Sequence, residues 1–108
     1  MDNKKETFPM VEFYKMHGLG NDFIIMNSKG ESLSELSSLA KEVCHRRFGI
    51  GADGLIVVEG STVASTKMVF FYADGSQAPM CGNGIRCFSK YVYEQGIVKE
   101  ETFTVETL

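Results

Sequence analysis

Tyr72-Ala-Asp-Gly-Ser-Gln-Ala-Pro-Met-Cys81-Gly-Asn-Gly-Ile-Arg-Cys87 carries the chain from an apolar strand into a helix. Bulky residues precede it, and Ile85 near its end falls at helical spacing with Phe88 and Val92 beyond it. The reading is strand, turn, helix, with Cys81 at or just before the helix N-terminus. The first N–H groups of a helix have no intrahelical partner and favour an anion. That anion can be a thiolate or the carboxylate of a ligand. Gly82 and Gly84 leave room for close backbone approach, and Asn83 adds an amide donor. Such a start suits removal of a proton beside a carboxylate, because donors are aimed where charge develops. The same residues also fit a buried cysteine beside a tight turn, since free cysteines are often buried. Asp74 and Ser76 read as turn-shaping residues near the site, as does Gly84.

Upstream, residues 67–72 predict a strand and residues 55–58 a shorter buried one, with a turn over residues 60–66. Gly49-Ile-Gly-Ala-Asp-Gly54 is a glycine-rich loop without dinucleotide spacing or a phosphate-binding lysine. Residues 32–48 predict a helix. Ser32 and Glu35 have capping-box spacing, and Leu33, Leu36, Leu39, Ala40, Val43 and Cys44 form one apolar face. His45, Arg46 and Arg47 then fall in a last turn that suits the helix dipole, with Gly49 as the stop. Nearer the N-terminus, Val11 and Phe13 around Glu12 read as a first strand and residues 23–26 as a second. Lys15-Met-His-Gly-Leu-Gly-Asn-Asp22 reads as the tight connection between them. Downstream, Gly96 ends the second helix. Residues 97–105 hold one or two further strands, with a bend at Glu100-Glu101. The order is ββαββαβ, an α+β class.

A length of 108 residues suits one domain, and 44% apolar residues permit a real core. No run approaches a membrane span, so a soluble, cytoplasmic chain with no membrane partner is expected. Net charge is −3 and the basic residues are scattered, which argues against nucleic acid and for a small-molecule ligand. Three cysteines do not make a disulfide framework. With His17 and His45 they lack zinc-ligand spacing, so no metal is expected. Cys44 and Cys87 read as packing residues. Residues 1–9 read as a flexible N-terminal extension and residues 10–108 as the folded domain. The stop at Leu108, just past an alternating segment, reads as a cut within a longer protein.

Three motifs stand in order: His17-Gly-Leu-Gly-Asn-Asp-Phe23, Arg47-Phe-Gly-Ile-Gly-Ala-Asp-Gly54, and Ala73-Asp-Gly-Ser76 followed by Met80-Cys-Gly-Asn-Gly-Ile-Arg-Cys87. Together they resemble the diaminopimelate epimerase family, in its N-terminal half only. The resemblance implies a mixed, curled β-sheet around a central helix, the one after Cys81. It also implies a second, similar domain across a cleft. The implied reaction interconverts LL- and meso-2,6-diaminopimelate, in lysine and peptidoglycan precursor biosynthesis, with no pyridoxal phosphate, metal or other cofactor. One cysteine thiolate removes the α-proton and an opposed cysteine thiol returns a proton on the other face. Cys81 matches the N-terminal member of that pair. Gly82 and Asn83 match residues that bind the reacting carboxylate, and Asn21 matches a substrate-contacting asparagine. The second cysteine, with its glutamate and arginine, would lie beyond Leu108. The missing C-terminal half is therefore an implied partner, and the chain alone is expected to be inactive.

Two positions depart from the family pattern. Tyr72 stands where many members carry asparagine against the distal part of the substrate, and is kept as a candidate contact. Gly54 stands where some carry a glutamine near the substrate. The departure at Tyr72 leaves a racemase of a related amino acid as an alternative. A non-enzymatic interaction domain, forming a homodimer through its exposed face, is the other.

Overall fold

The computed structural model describes residues 12–18, 20–79 and 81–108. The expected extension over residues 1–9 lies outside the described residues, as does Val11 of the expected first strand. The described elements are β1 (Tyr14–Gly18), β2 (Asn21–Asn27), α1 (Leu33–Val43), β3 (Gly54–Glu59), β4 (Thr66–Tyr72), β5 (Gln77–Ala78), α2 (Gly82–Glu94) and β6 (Val105–Glu106).

They build an open, mixed sheet in the order β1-β2-β3-β4-β5, with β6 joined to β4. β1 and β2 form an antiparallel hairpin. β2 and β3 are parallel, a pairing that needs a crossover, and α1 supplies it. The whole of β3 runs antiparallel to β4, from Gly54 opposite Tyr72 to Glu59 opposite Lys67. The other edge of β4 is shared end to end: β5 pairs at Phe70 and Phe71, and β6 pairs at Thr66 and Lys67. The expected α+β class and mixed sheet are what the chain adopts. β1, β2 and β3 all pack on α2, as expected of a central helix, while α1 covers the opposite face.

Strand alternation divides the core in two. Phe23, Ile25, Ile56, Val58, Met68 and Phe70 turn toward α2, where they meet Cys87, Phe88, Tyr91 and Val92. The intervening Ile24, Met26, Leu55, Val57, Val69 and Phe71 turn toward α1 and meet Leu36, Ala40, Val43 and Cys44. A strand buried on both faces reads as a continuous apolar run, which is why these three were legible. Each large apolar side chain so buried stabilises the fold by about 1.5–3 kcal/mol.

The helix boundaries follow local chemistry. Ser32 Oγ accepts from the Glu35 amide at 3.2 Å, and Glu35 Oε1 accepts from the Ser32 amide at 2.7 Å, a complete capping box. α1 then ends at Val43 with Cys44 as its C-cap, short of the expected residue 48. Gly49, Ile50 and Gly51 fold back onto carbonyls of His45 and Val43, so residues 45–51 form a compact turn. His45, Arg46 and Arg47 are therefore outside the helix, and Lys41 is the basic residue of its last turn. Leu33, assigned to the apolar face by periodicity, is 55% exposed. α2 closes as expected at Gly96, whose φ of 74° suits a residue without Cβ. Gly96 N donates to Tyr93 O and Ile97 N to Val92 O, the paired bonds of a Schellman end.

The N-terminal strand differs from expectation. β1 occupies Tyr14–Gly18, all but Tyr14 within the Lys15–Asp22 segment expected to be a loop, and the connection shrinks to the two residues before Asn21. Pairing with the buried β2 extends the strand. Tyr14 stacks edge-on against Tyr91 at 5.1 Å, and Met16 packs on the α2 side of the core. β5 was not foreseen. Of residues 97–105, only Val105 is strand, after bends at residues 100–102.

Phe88 is wholly buried at the centre of α2, whereas Leu33 faces solvent. Phe88→Ala is expected to lower unfolding stability in urea by about 3–5 kcal/mol. Leu33→Ala is expected to change it by less than about 0.5 kcal/mol. Equal losses would contradict the described orientation of α1.

Candidate active site

Cys81 is the N-cap of α2, with φ −126° and ψ 131°, and its side chain makes no capping hydrogen bond. The first helical bond is Ile85 N to Cys81 O at 2.8 Å, so the amides of Gly82, Asn83 and Gly84 precede the intrahelical ladder. No acidic side chain stands in this first turn. A Cβ on Gly82 would meet nothing within 4 Å, so the helix start opens onto free space. The contrast with α1 is chemical. One N-terminus is closed by its own serine and glutamate, and the other is left open beside a thiol.

All three cysteines are free. Cys81 is half-buried, whereas Cys44 and Cys87 are buried. Burial pushes the Cys44 thiol up to about 11, helped by the charge on Asp22. Burial also raises Cys87. Both are held as protonated packing groups at neutral pH, which leaves Cys81 as the cysteine with solvent access.

Asn83, one turn position beyond Gly82, reaches across to the start of β2. Its Nδ2 donates to Asn21 Oδ1 at 2.8 Å. Asn21 Nδ2 donates in turn to Asp53 Oδ2 at 3.1 Å. Asp53 Oδ2 also accepts from the Asp22 amide at 3.0 Å. Arg46 closes the cluster. It binds both carboxylate oxygens of Asp22, at 3.1 and 2.9 Å, and Asp53 Oδ1 at 3.0 Å. Lys15 Nζ adds an ion pair to Asp22 at 3.3 Å. Arg46 foremost, with Lys15 and the Asp53 amide, holds the Asp22 carboxyl well below its ordinary range despite the opposing effect of burial. His17, Gly20, Asn21, Asp22, Arg46 and Asp53 line a polar cleft of about 290 Å³.

The structure thus joins two sequence-named residues, Asn21 and Asn83, at the helix start that carries Cys81, Gly82 and Gly84. The sequence reading missed Arg46, Asp22 and Asp53. A signal was present: Asp22 and Asp53 are the acidic residues of the two glycine-rich motifs, and Arg46 directly precedes the second.

Tyr72 lies directly across from Gly54 in the β3–β4 ladder, so the two departures from the family pattern are cross-strand neighbours. Gly54 is buried, and a Cβ there would run into the Phe70 ring and approach Phe71 O to 2.8 Å. A longer side chain at this position has no space. Tyr72 packs its ring 5.5 Å from that of Phe70 and is 48% exposed, so it faces solvent on the α2 side of the sheet. Asp74 Oδ1 accepts from the Ser76 amide at 2.9 Å and from Ser76 Oγ at 2.6 Å, which closes the β4–β5 turn and keeps the carboxyl below its ordinary range. Ser37 Oγ donates to Gly75 O at 2.6 Å, tying that turn to α1.

Among the described residues, no three His, Cys, Asp or Glu side chains gather as a metal-binding group. No helix among them is long and apolar enough to cross a membrane. A larger groove, about 750 Å³, lies along α1 between Phe13, Leu39, Phe48 and Ile50, and contains none of the candidate residues.

Two measurements check this geometry. A thiol reagent at neutral pH is expected to label Cys81 in the native chain and all three cysteines in urea. Native labelling of Cys44 or Cys87 at the Cys81 rate would contradict their burial. Because the native Asp22 carboxyl is more acidic than an unfolded one, its stabilisation is present above the ordinary value of 3.8 and is lost as pH falls through and below it. Asp22→Asn is expected to lower Tm by several degrees at pH 7 and to flatten the loss of stability between about pH 5 and pH 2. An unchanged acid slope would show that Asp22 is not the group responsible.

A model of the diaminopimelate epimerase family matches residues 13–108. Diaminopimelate epimerase of Alkaliphilus metalliredigens is 59% identical over 99 residues, covering 91% of this chain and 35% of that protein. The enzyme of the same name from Caldanaerobacter subterraneus subsp. tengcongensis is 61% identical over 99 residues, with the same coverage. The chain therefore spans about a third of the length of the curated relatives it matches. In fold it resembles a phenazine biosynthesis protein of the PhzF family from Bacillus anthracis, with a TM-score of 0.69 at 22% identity over 90% of this chain and 31% of that one. A methylitaconate-delta-isomerase follows with a TM-score of 0.66 at 13% identity, covering 83% of this chain and 28% of the other. The motifs read from the sequence, the geometry around Cys81 and a match over nearly all the described residues agree: this chain belongs to the diaminopimelate epimerase family.

Proposed function

We propose that this chain forms one wall of an active site that inverts the α-carbon of diaminopimelate, with Cys81 as one of its two acid–base groups. The observation that carries the reading is the placement of Cys81. It is the accessible thiol, at an uncapped helix start beside the linked amides of Asn83 and Asn21, in a chain of this family.

The substrate carboxylate sits against the amides of Gly82 and Asn83, with Asn21 as a further donor. The Cys81 thiolate takes the α-proton: the C–H bond breaks, an S–H bond forms, and the electron pair spreads into the carboxylate. The helix amides and carboxamides stabilise that charge because they are already oriented. Inversion then requires a proton delivered to the opposite face of the same carbon. Cys44 and Cys87 are buried and cannot serve, and the resemblance to the family implies a second cysteine outside these residues. A second, cysteine-bearing domain facing this one across a cleft supplies it, and this chain by itself gives no inversion. In the reverse direction Cys81, as thiol, returns the proton. The carbanion is stabilised by hydrogen bonds alone, and the reading calls on no cofactor.

One observation favours a second reading, a related amino acid as substrate. Tyr72 presents a large half-exposed phenol where a smaller polar side chain is the family pattern, and Phe70 fills the space over Gly54.

The test is α-deuterium incorporation from D₂O into diaminopimelate and a panel of other amino acids, with this chain alone and with a C-terminal domain of a family member added. Exchange with inversion of diaminopimelate in the mixture is expected, and Cys81→Ala should reduce it by about 10²–10⁴-fold. Normal inversion by Cys81→Ala would end the assigned role. Preference for an amino acid without a distal amino-acid group would replace the substrate.

A further inference from the structure

We propose that Arg46 and Asp53 are positioning residues that set which way the Asn21 and Asn83 carboxamides face beside Cys81. The epimerase reading supplies only the identity of what those amides bind; the positioning itself stands on hydrogen-bond polarity.

A carboxamide has a donor end and an acceptor end, and a carboxylate only accepts. Asp53 Oδ2 is therefore a fixed acceptor, and it draws the NH₂ end of Asn21 toward itself. That choice turns Asn21 Oδ1 toward α2, where it accepts from Asn83 Nδ2. Reversing Asn83 would set its oxygen against the oxygen of Asn21. Reversing Asn21 would set its oxygen against the Asp53 carboxylate. One carboxylate thus dictates the polarity of two neutral groups, and with one N–H of Asn21 on Asp53 and one of Asn83 on Asn21, each carboxamide keeps a second N–H for a carboxylate oxygen of a ligand.

Asp53 can play this part only if its own carboxylate is held still. Arg46 holds it by Oδ1 while gripping both oxygens of Asp22, and the fork geometry of a guanidinium suits that task. The Asp53 amide bonds back to Asp22 O at 2.9 Å and Asp22 Oδ1 at 3.1 Å, so the two aspartates brace each other. The cluster ties three separate segments together: the β1–β2 hairpin, the turn after α1, and the first turn of α2. Arg46 sits in that turn because α1 ends at Val43 rather than continuing as a helix.

The test is hydrogen exchange of the Asn83 carboxamide, followed by NMR on the whole chain without ligand. Asp53→Ala and Arg46→Gln are expected to speed it by about fivefold, the factor a neutral amide–amide hydrogen bond carries. Backbone amides of β2, β3 and β4 should keep their protection. Arg46→Lys should restore part of the protection, since an ammonium can still hold one carboxylate. Unchanged Asn83 exchange in both variants would overturn the proposal. So would faster exchange that appears only together with lost backbone protection in both, which would mark a purely structural role. No substrate enters this measurement, so a wrong substrate assignment leaves its outcome untouched. An intact relay without α-deuterium exchange would sink the epimerase reading alone.

Discussion

Burial of β2, β3 and β4 on both faces is the constraint on which the rest of the molecule depends. Each strand must be apolar at every central position, and each face must then be covered. α1 and α2 are the two covers. The parallel pairing of β2 with β3 requires a crossover, so α1 is placed on one face by topology and by its Leu36, Ala40 and Val43 stripe. The short β5 turns the chain back along β4, and α2 then seats Phe88, Tyr91 and Val92 on the other face.

The site follows from where those covers begin and end. α2 starts where the chain leaves β5, so Cys81 sits at the sheet's end rather than over its middle. Gly84 is buried close to Cys81, Ile56 and Phe23, which lets the first turn settle against the sheet. α1 stops early, and the turn after it delivers Arg46 to the same end. β2 begins there with Asn21 and Asp22, and β3 is preceded there by Asp53. Three chain segments distant in sequence thus converge around one uncapped helix start. Among the described residues, no buried side-chain nitrogen or oxygen lacks a partner.

Local signals were legible where local chemistry dominates. Ser32 and Glu35 announced the start of α1, and Gly96 announced the end of α2. The runs at residues 23–26, 55–58 and 67–72 announced the buried strands. The reading failed where pairing overrode local preference. Tyr14-Lys-Met-His-Gly18 looks like the approach to a glycine loop, yet it becomes an edge strand because β2 offers it a ladder. Arg46 and Arg47 look like the basic end of a helix, yet Arg46 leaves for two carboxylates 24 and 7 residues away. Periodicity carries no information about a partner so distant, and so the charged cluster went unread.

The sequence by itself determined the class of fold, the two helices, the position of Cys81 at a helix start and, through three ordered motifs, the family. These rest on spacings within one segment, which a chain displays before it folds. The tertiary structure enclosed Cys44 and Cys87, which the sequence had already marked as packing residues, and left Cys81 half-buried. It decided that Gly54 and Tyr72 are cross-strand neighbours, and that Asn21 and Asn83 meet within hydrogen-bond distance under the hold of Asp53 and Arg46. Burial, register and hydrogen-bond polarity are relations between segments, and they exist only once the sheet has brought those segments together.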